Sequence, residues 1–204
     1  MSLHQFDLDK IKERNIKILA GVDEAGRGPL AGPVCAAAVI LPENFYMEEI
    51  NDSKKLTEKK REKLYDVIIE NAISYSIQFA DVEYIEKNNI LQATFYAMKQ
   101  AVEGLNIVPD YVLIDGNRTQ GIELPTECVI GGDAKSQSIA AASILAKVTR
   151  DRYCMEILDK KYPEYCFSKH KGYGTKLHTE KLLEFGPCPE HRMSFLGKIL
   201  GGKK

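Results

Sequence analysis

Two adjacent acids stand among glycines in Gly21-Val22-Asp23-Glu24-Ala25-Gly26-Arg27-Gly28. An apolar lead-in, Ile16, Ile18, Leu19 and Ala20, predicts a strand, and the acids fall where that strand is expected to end. A strand interior favours neither paired negative charge nor glycine-rich backbone, so the stretch points to chemistry. Successive strand side chains face opposite ways. Asp23 and Glu24 therefore serve one site only where the strand twists out or stops, as the glycines permit. Two more acids follow short apolar runs: Asp115 after Tyr111-Val112-Leu113-Ile114, and Asp133 after Cys128-Val129-Ile130-Gly131-Gly132. Taken alone, Asp115 in Asp-Gly-Asn is a turn former and Asp133 a helix N-cap. Taken together, four carboxylates at strand ends repel one another unless cations hold them. Oxygen ligands with no clustered Cys or His suit a hard ion, Mg²⁺ or Mn²⁺.

The elements that must position these acids read as mixed α/β. Val34–Leu41 is a buried strand stopped by Pro42, and the short connector Pro29–Pro33 predicts that it pairs antiparallel with the first. A polar loop covers 43–56, and Thr57 with Glu58 begins a helix carrying Leu64, Val67, Ile68 and Ala72 at helical spacing. Ser74–Ala80 alternates like a strand, 82–104 reads as helix, and Tyr111–Ile114 and Cys128–Ile130 are short strands. A long helix is expected over 136–160, its small residues Ala140 to Ser143 predicting close packing on the sheet. The result is one mixed five-stranded sheet flanked by helices, with a helical C-terminal extension. In such sheets functional sites gather beyond the carboxyl ends of strands, where the acids fall.

Composition narrows the class. At 204 residues the chain fits one domain with a small appendage, and 44% apolar with 28% charged residues is ordinary for a soluble protein. No apolar run approaches the roughly 20 residues that span a bilayer, and the start, MSLHQFDLDKIKERN, is too polar for a signal peptide. Five cysteines without a C-x-x-C pair predict free thiols and a cytoplasmic setting. Net charge is −1, yet residues 160–204 hold ten Lys/Arg against four Asp/Glu, leaving 18 against 25 in residues 1–159. That positive segment is either a solvated tail or a phosphate-facing surface.

Other residues are weighed the same way. Asp151 lies five helical turns after Asp133, and at about 1.5 Å per residue the two stand roughly 27 Å apart. Asp151 is therefore left out of the site, with a salt bridge inside Thr149-Arg150-Asp151-Arg152 as its expected role. His191 is expected to make a structural hydrogen bond. A P-loop reading of Gly21-x-x-x-x-Gly26 fails because Arg27-Gly28 replaces Lys and Ser/Thr. A noncatalytic nucleic-acid binder would use the basic segment but leaves the four acids unexplained.

In its motifs the chain resembles bacterial ribonuclease HII. They are Asp23-Glu24-Ala25-Gly26-Arg27-Gly28-Pro29, Asp52-Ser53-Lys54-Lys55-Leu56, Asp115-Gly116-Asn117, Gly132-Asp133-Ala134-Lys135-Ser136, Ala141 to Asp151, and Lys171-Gly172-Tyr173-Gly174-Thr175, in the family's order. Ribonucleases HIII share the catalytic core but add an N-terminal domain, whereas only residues up to Asn15 precede the first strand here. The resemblance implies an RNase H-like fold, with a catalytic core over 1–160 and a basic helical extension over 161–204 packed with it as one unit. It implies cleavage of RNA in RNA–DNA hybrids and incision at single ribonucleotides in duplex DNA. Asp23, Glu24, Asp115 and Asp133 would hold two divalent cations, Mn²⁺ or Mg²⁺, for hydrolysis giving 3′-hydroxyl and 5′-phosphate ends. Gly26-Arg27-Gly28 would sense the ribose 2′-hydroxyl, and Tyr173 would stack on the sugar after the ribonucleotide. Packing in the core is the alternative for Tyr173. Lys54 and Lys55 are expected phosphate contacts or an ordinary solvated pair. No membrane association and no clamp-binding motif are expected, and a monomer is the expected state.

Overall fold

The computed structural model describes residues 2–50 and 56–201. An N-terminal helix α1 (Leu3–Arg14), capped by the Ser2 hydroxyl and closed by left-handed Asn15, precedes strand β1 (Leu19–Ala25). Then come β2 (Val34–Ile40), α2 (Glu58–Asn71), β3 (Ser74–Ala80), α3 (Val82–Glu103), β4 (Tyr111–Asp115) and β5 (Thr126–Val129). A 3₁₀ turn, Gly132–Ala134, leads into α4 (Gln137–Arg152), which continues as a π-helical stretch, Tyr153–Leu158, and a short helix α5 (Asp159–Lys161). Helices α6 (Phe167–His170) and α7 (Lys176–Phe185) follow. Side-chain oxygens of Thr57, Asp81, Ser136 and Thr175 cap α2, α3, α4 and α7, each accepting from a first-turn N–H.

The sheet order is β3-β2-β1-β4-β5. β1 runs antiparallel to β2, as the short connector requires, and β4 joins β1 on its other side in parallel, with β5 parallel to β4. This is the expected mixed sheet of the RNase H-like class. Alternation divides its two faces cleanly. Ala20, Val22, Ala36, Ala38, Val112 and Ile114 meet α3, while Cys35, Ala37 and Val39 meet α2 and α4. Among the described residues no helix is long and apolar enough to cross a membrane, and all five cysteines are free thiols.

Three local expectations need correction, and one segment left unassigned in sequence gains a helix. The polar start is a helix: buried Asp7 on α1 accepts from the Ser138 backbone and hydroxyl at 2.8 Å each, tying α1 to the start of α4. β1 does not stop at the acids but continues through Ala25, because β2 stays paired with it as far as Ala25–Cys35. β5 begins two residues earlier than expected and ends one earlier, leaving Ile130 70% exposed. Asp133 does not cap α4. Ser136 does, accepting from Ile139 N at 3.2 Å.

Candidate active site

The site begins with the contact between β1 and α4. A side chain at Gly21 would land on the backbone of Ser138, so only glycine lets the helix lie this close to the strand. Strand alternation then turns Asp23, two residues on, toward the same helix, where the Ser143 hydroxyl bonds its carboxylate. Asp115 stands at the matching end of β4, one residue past the pairing of Val22 with Ile114. Its Oδ1 accepts from Gly132 N at 2.6 Å, which pins the 3₁₀ turn carrying Asp133 against β4. Asp23, Asp115 and Asp133 thus converge, with one carboxylate oxygen from each within 4.8 Å of the others.

Glu24 stands beside this triad rather than in it, with its carboxyl against that of Asp23 and in the same cleft. Arg27 donates to Glu24 Oε1 at 3.4 Å. The acids nevertheless feel one another. Burial pushes the Asp23 carboxyl well above the usual range, and the charges of Glu24 and Asp115 add to the push. Burial also raises Glu24, against the pull of Arg27. Like charges gathered in a low-dielectric pocket call for a cation, and three carboxylates suit a hard divalent ion. The donor set therefore fits a divalent metal.

Asp23 and Glu24 form one wall of a cleft of ≈ 170 Å³ whose other lining includes Gly26, Arg61, Ser143, Lys147 and Tyr173. Tyr173 is 39% exposed, which rules out the core-packing alternative. The Lys147 ammonium lies 5.3 Å from the centre of its ring. Gly26 has φ +99, and a Cβ there would meet the Arg150 guanidinium, so glycine is needed on both counts. A Cβ at Gly28 would meet nothing within 4 Å; with exposed Arg27 beside it, this part of the loop is open to a ligand. Lys54 and Lys55 lie outside the described residues. Asp151 bonds Lys147 at 2.7 Å, not its neighbouring arginines. Both of those are engaged elsewhere, Arg152 on Glu62 and Arg150 on backbone carbonyls.

Two residues that sequence reasoning passed over hold the loops in place. Arg150 donates to the carbonyls of Pro33, Ala31 and Lys171 at 2.9–3.0 Å. Arg192 donates to those of Gly26, Arg27, Pro29 and Gly32 at 2.7–3.0 Å. Both are fully buried, and Leu30 N donates to Gly172 O at 2.8 Å, so the loops bearing Gly26–Gly28 and Tyr173 are bolted together. Burial, then the like charge of Arg150, lowers the Arg192 pKa to about 9. An arginine in a basic segment looks solvated in sequence, and only its burial reveals the role. The segment is accordingly not a uniform phosphate-facing surface: Lys161, Lys176 and Lys181 pair with Glu190, Glu180 and Glu184.

Comparison with known proteins gives a consistent result. The ribonuclease HII family model matches residues 20–198. A ribonuclease HII of Caldicellulosiruptor saccharolyticus is 53% identical over 196 residues, covering 96% of this chain and 95% of that one. Among solved structures, the ribonuclease H2 of Pyrococcus horikoshii matches with a TM-score of 0.72 at 28% identity, over 90% of this chain and 97% of that one. A Bst-RNase HIII solved in complex with Mn²⁺ matches in fold, with a TM-score of 0.64 at 16% identity over 91% of this chain and 70% of that one.

Proposed function

The chain belongs to the ribonuclease HII family and is a ribonuclease H hydrolase, and from that premise we propose that it cuts RNA within RNA–DNA hybrids and incises at single ribonucleotides embedded in duplex DNA. The observation that carries the reading is the convergence of Asp115 and Asp133 on Asp23, which lines a cleft together with an exposed tyrosine. Asp23, Glu24, Asp115 and Asp133 would hold two divalent cations, Mn²⁺ or Mg²⁺. Bound there, such ions supply Lewis acidity that activates water and stabilises charge on the departing 3′ oxygen, leaving 3′-hydroxyl and 5′-phosphate ends.

The protein's own groups would bind and select. Lys147 and Arg61 bring positive charge to the cleft and attract the phosphate backbone. Backbone at Gly26 to Gly28 approaches the ribose closely enough to read its 2′-hydroxyl, the group that separates RNA from DNA. The Tyr173 ring stacks on the next sugar. Lys54 adds a phosphate contact. Residues 1–160 and 161–204 work as one unit, a reading supported by Arg192 reaching back to the Gly26–Gly32 loop. The enzyme works as a cytoplasmic monomer.

The test is cleavage of a duplex containing one ribonucleotide, with analysis of the ends. Nicking is expected with Mn²⁺ or Mg²⁺, yielding 3′-hydroxyl and 5′-phosphate, and none with chelator. Full activity in chelator would refute the metal reading, and cleavage at all-DNA sites would refute the ribose selectivity.

A further inference from the structure

Behind the Tyr173 loop lies a group of side chains that the chemistry above does not use. His170, His178 and His191 are buried together, His170 and His178 stacked 4.1 Å apart at 13°, with His191 5.2 Å from His178. Their hydrogen bonds fix each proton. Cys188 N–H donates to His191 Nδ1 at 3.0 Å, so His191 carries its proton on Nε2 and donates to His178 Nε2 at 3.0 Å. That nitrogen must then accept, which places the His178 proton on Nδ1, aimed at the Tyr173 carbonyl 2.9 Å away. His170 follows the same logic: Gly172 N–H donates to its Nδ1, and its Nε2–H donates to the Tyr165 carbonyl at 2.8 Å. Its own carbonyl accepts from Tyr173 N–H at 2.8 Å.

We propose that His178, oriented by His191, is a positioning residue for Tyr173, and that this chain of neutral imidazoles sets where the Tyr173 ring stands in the cleft. The inference rests on the reading of Tyr173 as a substrate contact. It is directional: one end of the relay is anchored on Cys188, the other delivers a single N–H to the carbonyl of the stacking residue. A second proton on His178 would set two N–H groups face to face between it and His191, and one on His191 would set Nδ1–H against the Cys188 N–H. Burial holds both of these imidazoles at a pKa of about 4, so the relay stays neutral in the working range. The other titratable groups facing it are Tyr165 and the Cys188 thiol beside His191, with Asp159 and Lys171 nearest His170.

The substitutions His178→Asn and His178→Gln separate the two ends of that imidazole. The Asn amide reaches the Nδ1 position and keeps the donor to Tyr173, whereas the Gln amide reaches the Nε2 position and keeps only the link to His191. In single-ribonucleotide cleavage with Mn²⁺, Gln is expected to lower kcat/KM on the order of tenfold, through misplacement of a substrate contact, and Asn to recover most of it. Hydrogen exchange at Gly172–Thr175 should rise in the Gln variant alone. Combined with Tyr173→Ala, the Gln substitution should cost nothing further. Equal losses in both variants, no loss in either, or additive loss with Tyr173→Ala would overturn the proposal. The native chain offers a check that needs no variant: imidazole ¹⁵N shifts should show His178 protonated on Nδ1, and His170 and His191 on Nε2. A His178 protonated on Nε2 or on both nitrogens would equally overturn it. If Tyr173→Ala leaves cleavage intact, the substrate-contact reading fails by itself, whatever the imidazoles show.

Discussion

Asp23 carries the electrostatic tension of the site. Burial first, then Glu24 and Asp115, make its charged form unfavourable in the folded chain. In the unfolded chain it titrates in the ordinary range, near about 3.9. Between that value and the raised one, the folded chain holds more protons, so stability falls as pH rises through the window. A divalent cation favours the charged form and opposes that fall. Without metal, Asp23→Asn is therefore expected to raise Tm at neutral pH while abolishing cleavage, and Mn²⁺ should narrow the gap by stabilising the wild type. Thermal melts with and without chelator decide this, and a lower Tm for the variant in chelator would contradict it. His178 and His191 pull the other way. Held at about 4 when folded, they withdraw stability as pH falls from about 6.5, their unfolded value, through about 4.

At the scale of elements, the geometry depends on how closely α4 lies on β1. Gly21→Ala places a methyl on backbone atoms of Ser138 and Ile139, a clash that no side-chain rotation relieves. Overpacking of this kind costs about 1–3 kcal/mol, and it should also move Ser143, which bonds Asp23, away from the triad. Ser136→Ala removes the cap of the same helix at about 1 kcal/mol without introducing a clash. Urea unfolding and cleavage rates measured on both should show activity falling further than stability predicts in Gly21→Ala only. Parallel losses in the two variants would mean that the close approach does not govern the site.

Over the whole molecule, the C-terminal segment clamps the Gly26–Gly32 loop. Arg192 satisfies the carbonyls of Gly26, Arg27, Pro29 and Gly32 from a fully buried position. Arg192→Lys keeps the charge but not the planar fork of donors. Leaving buried carbonyls unpaired should cost on the order of 3–5 kcal/mol, measurable by urea denaturation. A fully stable Lys variant would show that the clamp is dispensable.

Local pattern determined much of this protein. Strand and helix periods, the capping residue Thr57, and the short turn between β1 and β2 depend on neighbours in sequence and were legible there. So were the four acids, because charge among glycines beside apolar runs is conspicuous wherever the chain later puts it. Tertiary structure alone decided which acids meet. Pairing of β1 with β4 brings Asp115 to Asp23, and the turn held on Asp115 brings Asp133 to both, with Glu24 beside them. It alone decided that Arg150, Arg192, His170 and His178 are buried supports rather than surface charge. Burial is a sum over contacts from residues far apart in the chain, and no local window of sequence contains that sum.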